Sequence, residues 1–155
     1  MRRYILWAIF GLYTLALLNI LLFQHPTYLS TGTTYAEHLM ERVRLGNYIP
    51  FSTITQYATG TPTWPIALRN IVGNVLIFVP FGVLLPLLFN SLYSFKRIAL
   101  LGLACSFGLE VIQLLMITGS FDVDDVILNT LGVVTGYLCV KFSIFVFAGR
   151  RSTEN

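Results

Sequence analysis

Long apolar runs separated by short polar connections make up most of the chain. Four such runs lie at about residues 4–23, 68–89, 98–117 and 126–147. As a helix, each run is long enough to cross a hydrocarbon core of about 30 Å at about 1.5 Å per residue. The pattern therefore predicts an all-α membrane protein with four transmembrane helices, in which residues 1–155 form a single domain.

The second apolar run contains Pro80 and Pro86. Proline lacks the backbone N–H that an α-helix needs and clashes with the preceding turn. We therefore predict that this span is kinked or broken. In the fourth run, Gly132 and Gly136 are four residues apart, which predicts close packing against a neighbouring helix.

The long connection between the first two runs predicts a short amphipathic helix on the membrane surface. Its apolar residues recur at helical spacing, opposite charged ones. These apolar residues are Ala36, Leu39, Met40 and Val43. Thr34 and Glu37 have the spacing of a capping box that would begin this helix. His38 falls on the polar face, so we expect a solvated histidine.

Composition supports the membrane assignment, because 55% of the residues are hydrophobic, 11% are charged and the mean hydropathy is +0.73. A soluble domain carries about a quarter charged residues, so soluble folds, disordered chains and nucleic-acid-binding modules are excluded. Most basic residues lie on one side if the N-terminus is inside. The charge distribution therefore predicts that both termini are cytoplasmic.

Polar residues inside the spans fall on shared helix faces, because their spacings are three or four residues. They are Asn70 and Asn74 on the second span, Glu110 and Gln113 on the third, and Asp125 and Asn129 on the fourth. Arg69 and Asp122 lie close to these groups in sequence. Counting residues from the span ends places all three faces at a similar depth near the outer surface, which predicts an outward-facing polar cleft.

A carboxylate in hydrocarbon costs several kcal/mol unless it is neutralised or paired, so Glu110 is the leading catalytic candidate, with Asp125 beside it. Asn74, Gln113 and Asn129 are expected to orient Glu110 or to bind polar ligand groups. The structural alternative is a protonated or Arg69-paired Glu110 that holds helices together.

The acidic run after the third span has a structural alternative of its own. Asp122 or Asp124 could cap the fourth helix, whereas the binding interpretation places Asp122 and Asp125 at the mouth of the cleft. We predict no metal site, because too few hard ligands come together near the acidic run, and a divalent cation held by its closely spaced carboxylates is the minor alternative. We also predict no cofactor, and the sequence contains no zinc-protease, phosphate-loop or dinucleotide motif.

Several stretches resemble the VanZ-like family. They are NYIPFSTI, NIVGNVLIFVPFGVLLP, LEVIQ and GSFDVDDVILNTLGVVTGY, in family order from Asn47 to Tyr137. The resemblance assigns the family's polar signature to Asn47, Pro50, Phe51, Asn70 or Asn74, Pro80, Glu110, Gln113, Asp122, Asp125 and Asn129. Many members have an arginine where this chain has Ser120.

The family is named for a protein linked to resistance to teicoplanin, a lipoglycopeptide antibiotic that acts at the outer surface of the bacterial membrane. The resemblance implies a multi-pass protein of the bacterial cytoplasmic membrane, in contact with membrane lipids. Its cleft is expected to bind or modify an envelope lipid, a wall precursor or a lipoglycopeptide. The alternative is a non-enzymatic binding or partner protein that limits antibiotic access, with the polar cluster joining the helices. A transporter is a third interpretation.

Overall fold

A computed structural model describes residues 1–23, 32–59 and 63–153, without the side chains of Arg2 and residues 147–153. The helices are α1 (Arg2–Phe23), α2 (Tyr35–Arg44), α3 (Ser52–Ala58), α4 (Trp64–Leu88), a 3-10 turn (Asn90–Leu92), α5 (Phe95–Leu115) and α6 (Val123–Thr153). Within these described ranges the chain contains no strand, and a single parallel bridge pairs Asn47 with Asp122.

Four helices, α1, α4, α5 and α6, are long and apolar enough to cross a membrane, which confirms the predicted all-α fold. The last three begin earlier than predicted. Helix α4 begins at Trp64 because Pro65 suits the first turn of a helix, where an unpaired N–H is normal. Helix α5 begins at Phe95 and includes Lys96 and Arg97, which an apolar run excludes.

Helix α4 is continuous through Pro80 and Pro86 and ends two residues after the second proline. The predicted break is therefore wrong, whereas the kink stays a prediction. Near its C-terminal end, Leu84, Leu85, Pro86 and Leu88 are buried, so tertiary packing supports the turn that the proline weakens.

The most extensive helix packing in the described chain joins α4 to α6. The backbones approach closely, because a Cβ atom on Gly132 would lie 2.2 Å from the carbonyl oxygen of Val75. A Cβ atom on Gly136 would lie 2.1 Å from the carbonyl oxygen of Val79. Only glycine fits at these two positions, as the spacing predicts.

Helix α5 packs on α6, and α1 packs on α4. The buried apolar core between the spans consists of Leu17, Phe78, Leu85, Ile98, Val133 and Tyr137. The Tyr13 hydroxyl donates to the Ile77 carbonyl over 2.7 Å, which fastens α1 to α4 inside the bundle. Many large apolar side chains on the outer faces of the spans are exposed, as a lipid-facing surface requires.

The predicted short helix in the first connection is α2, and both bonds of its capping box are present. The Glu37 backbone N–H donates to the Thr34 hydroxyl over 3.3 Å, and the Thr34 N–H donates to the Glu37 carboxylate over 2.7 Å. The Thr34 backbone N–H lowers the pKa of Glu37 below its ordinary value. The Tyr35 hydroxyl donates to the Leu115 carbonyl over 2.6 Å, so α2 is held at the end of α5. Its position on the membrane surface stays a prediction.

The prediction that His38 is solvated is wrong. Its side chain is buried, with Nε2 2.6 Å from the Thr33 hydroxyl oxygen. Helical spacing places His38 on the charged face of α2 but does not show what covers that face. Tyr35 lies three residues before His38 and contacts the end of α5, so this side of α2 faces the bundle.

Candidate functional site

The segment between α2 and α3 is joined to the start of α6 through the backbone. The Asn47 N–H donates to the Phe121 carbonyl over 2.8 Å, and the Val123 N–H donates to the Asn47 carbonyl over 3.0 Å. Side chains reinforce the bridge, because Asn47 donates to Asp122 over 2.9 Å and the Thr53 hydroxyl donates to Asp122 over 2.8 Å. The segment between α2 and α3 and the start of α6 therefore form one unit.

Asp122 caps α6, as one of the two sequence interpretations expects. Its Oδ1 atom accepts the Asp124 backbone N–H over 2.8 Å. Because Oδ1 also accepts from Asn47 and Oδ2 accepts from Thr53, both carboxylate oxygens of Asp122 are occupied. This carboxylate lines the site but is already satisfied by protein donors.

Asp124 caps a different helix. Its side chain is fully buried, and its two carboxylate oxygens accept the backbone N–H groups of Phe51 and Ile54 at the start of α3. A carboxylate suits this position because the first N–H groups of a helix have no partner within it. Phe51 has a φ of 67°, a left-handed conformation that a non-glycine residue adopts only at some cost. The bond to Asp124 helps hold that conformation.

Glu110 lies at the centre of the polar residues and is only 4% exposed. Its Oε2 atom accepts the backbone N–H of Asp122 over 3.1 Å, which connects α5 to the start of α6. No donor in the described chain reaches its Oε1 atom. The Arg69-paired form of the structural alternative is not observed, since Arg69 forms no ion pair with any carboxylate of the described residues.

Three amides that were expected to orient Glu110 have other partners. Asn74 donates to Asp125 Oδ1, which joins α4 to α6. Gln113 donates to the Leu21 carbonyl over 2.9 Å, which joins α5 to α1. None of the three amides donates to Glu110 among the described residues, and their binding of polar ligand groups stays a prediction.

The third of these amides, Asn129, is buried and donates to the Ser106 hydroxyl over 3.0 Å, which joins α6 to α5. Its Oδ1 atom is buried without a hydrogen-bond partner. Asn70 donates to the Tyr57 hydroxyl over 2.8 Å and so joins α4 to α3. Every polar residue predicted within the spans thus contacts a different helix, apart from Arg69, which is exposed.

One cavity of about 420 Å³ brings all the predicted site residues together. It lies between α1, α3, α4, α5 and α6, and Ile20, Leu21, Ile66 and Ile77 supply apolar wall. The predicted residues that line it are Arg69, Asn70, Asn74, Glu110, Gln113, Asp122, Asp125 and Asn129. The predicted residues, which are up to sixty positions apart in the chain, therefore line the same cavity.

The cavity presents unoccupied acceptors more than donors. Glu110 Oε1, Asp125 Oδ2 and Asn129 Oδ1 accept no hydrogen bond from the described residues. Arg69 is the one basic residue among those that line the cavity. No group of three histidine, cysteine, aspartate or glutamate side chains in the part of the chain that the structure describes could hold a metal ion. The site is therefore suited to a ligand that donates hydrogen bonds.

Sequence reasoning missed several residues around this cavity. Ser106 is not one of them, because helical spacing already places it on the same face as Glu110, four residues earlier. Thr53 and Tyr57 gave no periodic signal, since they belong to a short helix in a loop rich in turn-forming residues. The capping of α3 by Asp124 depends on a contact between segments seventy positions apart, which no local pattern reports.

Residues 10–146 match the VanZ/LLP1 family. The chain belongs to this family. It is also similar to Protein VanZ of Enterococcus faecium, with 38% identity over 73 residues. That match covers 47% of this chain and 43% of the Enterococcus protein, so the chain spans less than half the length of the curated relative that it matches. No solved structure matches.

The family match confirms the resemblance that the motifs predict, and it places this VanZ-family chain among membrane proteins with several apolar helices. The matched range includes all eight cavity residues that sequence reasoning selected. It also contains α2, α3 and the segment between them, which carries the bridge to Asp122. The residues that line the cavity therefore all lie within the part of the chain that matches the family.

Proposed function

We propose that this VanZ-family protein binds the polar part of an amphiphilic envelope component in its cavity, at the outer face of the bacterial cytoplasmic membrane. The component is an envelope lipid, a lipid-linked wall precursor or a lipoglycopeptide antibiotic such as teicoplanin. The observation that carries the proposal is the single cavity in which polar side chains of three spans converge with open carboxylate oxygens. Open polar groups within a membrane span are expensive unless a ligand or water uses them.

The orientation in this proposal rests on charge. Arg3, Lys96 and Arg97 lie at the end of the bundle where α4 meets α5, opposite α2, α3 and the cavity. Basic residues next to spans favour the cytoplasmic side. With both termini inside, the cavity is in the outer leaflet, where an amphiphile can enter between the helices without leaving the membrane.

Glu110 and Asp125 are the residues through which a reaction would proceed. Each carboxylate keeps one oxygen open to the cavity and has its other oxygen fixed by a protein donor. A carboxylate held in this way can transfer a proton to or from a bound group. Asp122 lacks an open oxygen, so its proposed role is to position Glu110 through the backbone N–H that Glu110 accepts.

A second candidate function is supported by the hydrogen bonds between helices. Asn74, Gln113 and Asn129 each donate to a partner on another helix, which is what a non-enzymatic protein with a polar core would require. In that case the protein limits antibiotic access by binding a partner, and the cavity residues serve only stability.

Glu110→Gln separates the two functions, because glutamine retains an oxygen that can accept the Asp122 N–H but loses the charge. The test expresses the variant in a teicoplanin-sensitive host and measures growth inhibition by teicoplanin, membrane abundance and co-purified lipid by mass spectrometry. Binding in the cavity predicts loss of protection and of co-purified amphiphile at normal abundance. Glu41→Gln is the matched control, since Glu41 is exposed on α2 outside the cavity.

If Glu110→Gln retains full protection and the same co-purified molecules, the cavity function is wrong. If protection falls only as far as abundance and thermal stability fall, the structural function is correct. A change in bound molecule without a change in abundance excludes the purely structural role.

A further inference from the structure

We propose that the inner part of the cavity binds a primary ammonium group of a phospholipid headgroup, while Arg69 binds the adjacent phosphate. This inference rests on the proposed function and names the class of ligand. An aminoalkyl phosphate headgroup carries both groups next to each other. The assignment follows from the open acceptors, from the balance of charge and from the position of the single arginine.

Two acceptors that line the inner part of the cavity have no hydrogen-bond donor among the described residues. Asn129 is 3% exposed, and its buried Oδ1 atom has no partner although its Nδ2 atom donates to Ser106. Glu110 is nearly as buried, and only one of its two oxygens is occupied. A buried acceptor such as Asn129 Oδ1 is normally satisfied, so its lack of a partner, beside the open Oε1 atom of Glu110, indicates a missing donor. An ammonium group has three N–H donors and no acceptor, which matches this wall.

Charge narrows the class of ligand. Glu110 and Asp125 lie within spans, and neither pairs with a basic side chain among the residues that the structure describes. A carboxylate in apolar surroundings is stabilised either by protonation or by a nearby positive charge, and a cationic ligand would supply that charge. A hydroxyl group would supply a donor without charge, and a trimethylammonium group would supply charge without a donor. A primary ammonium group supplies both.

Arg69 is placed to bind the phosphate of the headgroup. It is exposed, it lines the same cavity, and it lies near the N-terminal end of α4, five residues before Asn74. Its guanidinium forms no ion pair with the cavity carboxylates, so it remains available for an anionic oxygen. Arginine binds phosphate through paired N–H donors. A headgroup with its phosphate at Arg69 would direct the ammonium inward.

The test compares three phospholipids that share a phosphate but differ in the second group. The purified full-length protein in detergent is titrated with phosphatidylethanolamine, phosphatidylcholine or phosphatidylglycerol, and bound lipid is measured by native mass spectrometry. Since only phosphatidylethanolamine presents N–H donors and a positive charge together, it should bind at least about tenfold more tightly than the other two.

Two variants assign the two halves of the headgroup. Glu110→Gln should abolish the preference for phosphatidylethanolamine while the other two lipids bind as before. Arg69→Gln should weaken all three lipids by a similar factor, because all three contain the phosphate. Arg69 is exposed, so this variant keeps the test decisive even if Glu110→Gln does not fold. Glu41→Gln is the control and should change nothing.

Other binding results would overturn the ammonium assignment alone or the proposed function as well. Equal binding of the three lipids, or tighter binding of phosphatidylglycerol, overturns the ammonium assignment. If Glu110→Gln still weakens binding in that case, the proposed function stands without it. If neither lipid nor teicoplanin binding depends on Glu110 or Arg69 in well-folded variants, both the inference and the proposed function are wrong.

Discussion

The adjacent carboxylates Asp124 and Asp125 should respond differently to the same substitution, the first in stability and the second in ligand binding. Asp124 is fully buried, and its two oxygens accept the N–H groups of Phe51 and Ile54. Asparagine has one acceptor oxygen, so Asp124→Asn leaves one buried N–H facing an amide group. An unsatisfied buried donor, together with a lost charge-assisted bond, costs about 2–4 kcal/mol. For a chain of this size, that corresponds to a fall of about 4–16 °C in the unfolding midpoint.

Asp125→Asn should behave differently, because the new amide can still present an oxygen to Asn74 while a charge within the span is removed. We expect a stability change within about 0.5 kcal/mol and a loss of ligand binding. The assay is thermal unfolding of both variants in detergent, followed by tryptophan fluorescence, alongside lipid binding. A midpoint for Asp124→Asn within about 2 °C of the parent would refute the capping role that the geometry assigns.

Three further predictions concern packing, acid sensitivity and the attachment of α1. Gly136→Ala should lower stability by about 1–3 kcal/mol or more, as measured by thermal unfolding, because its Cβ has no room. Gly108→Ala should be neutral or stabilising, because a Cβ atom there would meet nothing within 4 Å. An equal loss of stability in the two variants would contradict the packing argument. Since Thr34 holds the pKa of Glu37 below its ordinary value, the stabilising contact exists at neutral pH and disappears as pH falls through that lowered pKa. Hydrogen exchange of α2 should accelerate there, and Glu37→Gln should show no such step. Gln113→Leu should lower the free energy of unfolding by about 1 kcal/mol, because the hydrogen bond to α1 is lost. An unchanged thermal unfolding midpoint would show that this hydrogen bond does not stabilise the protein.

Much of the fold could be predicted because apolar runs of membrane-spanning length have few alternatives. The boundaries were less predictable, since Trp64 and Lys96 belong to first helical turns although neither continues an apolar run. Pro86 illustrates a second limit. Local chemistry indicates a break there, but buried neighbours keep α4 helical to Leu88. Tertiary packing decided the outcome, and the periodicity of a single segment carries no information about it.

The membership of the candidate site could also be predicted, whereas its bonding could not. Helical spacing and depth placed Glu110 near Asn74, Gln113 and Asn129, and all four line the cavity. Spacing does not determine which donor meets which acceptor. That choice depends on side-chain rotation and on backbone groups such as the Asp122 N–H, which the sequence pattern does not describe.

The bridge between Asn47 and Asp122 limits how this protein can be recombined. The segment of residues 47–54 shares backbone and side-chain hydrogen bonds with the first turn of α6, so neither piece carries a complete set of partners alone. A chimera that exchanges residues 47–54 with another family member without residues 120–125 would separate donors from their acceptors. Exchanging both segments together keeps each pair intact. These two segments should therefore change together when family members diverge, although two membrane-spanning helices separate them in the chain.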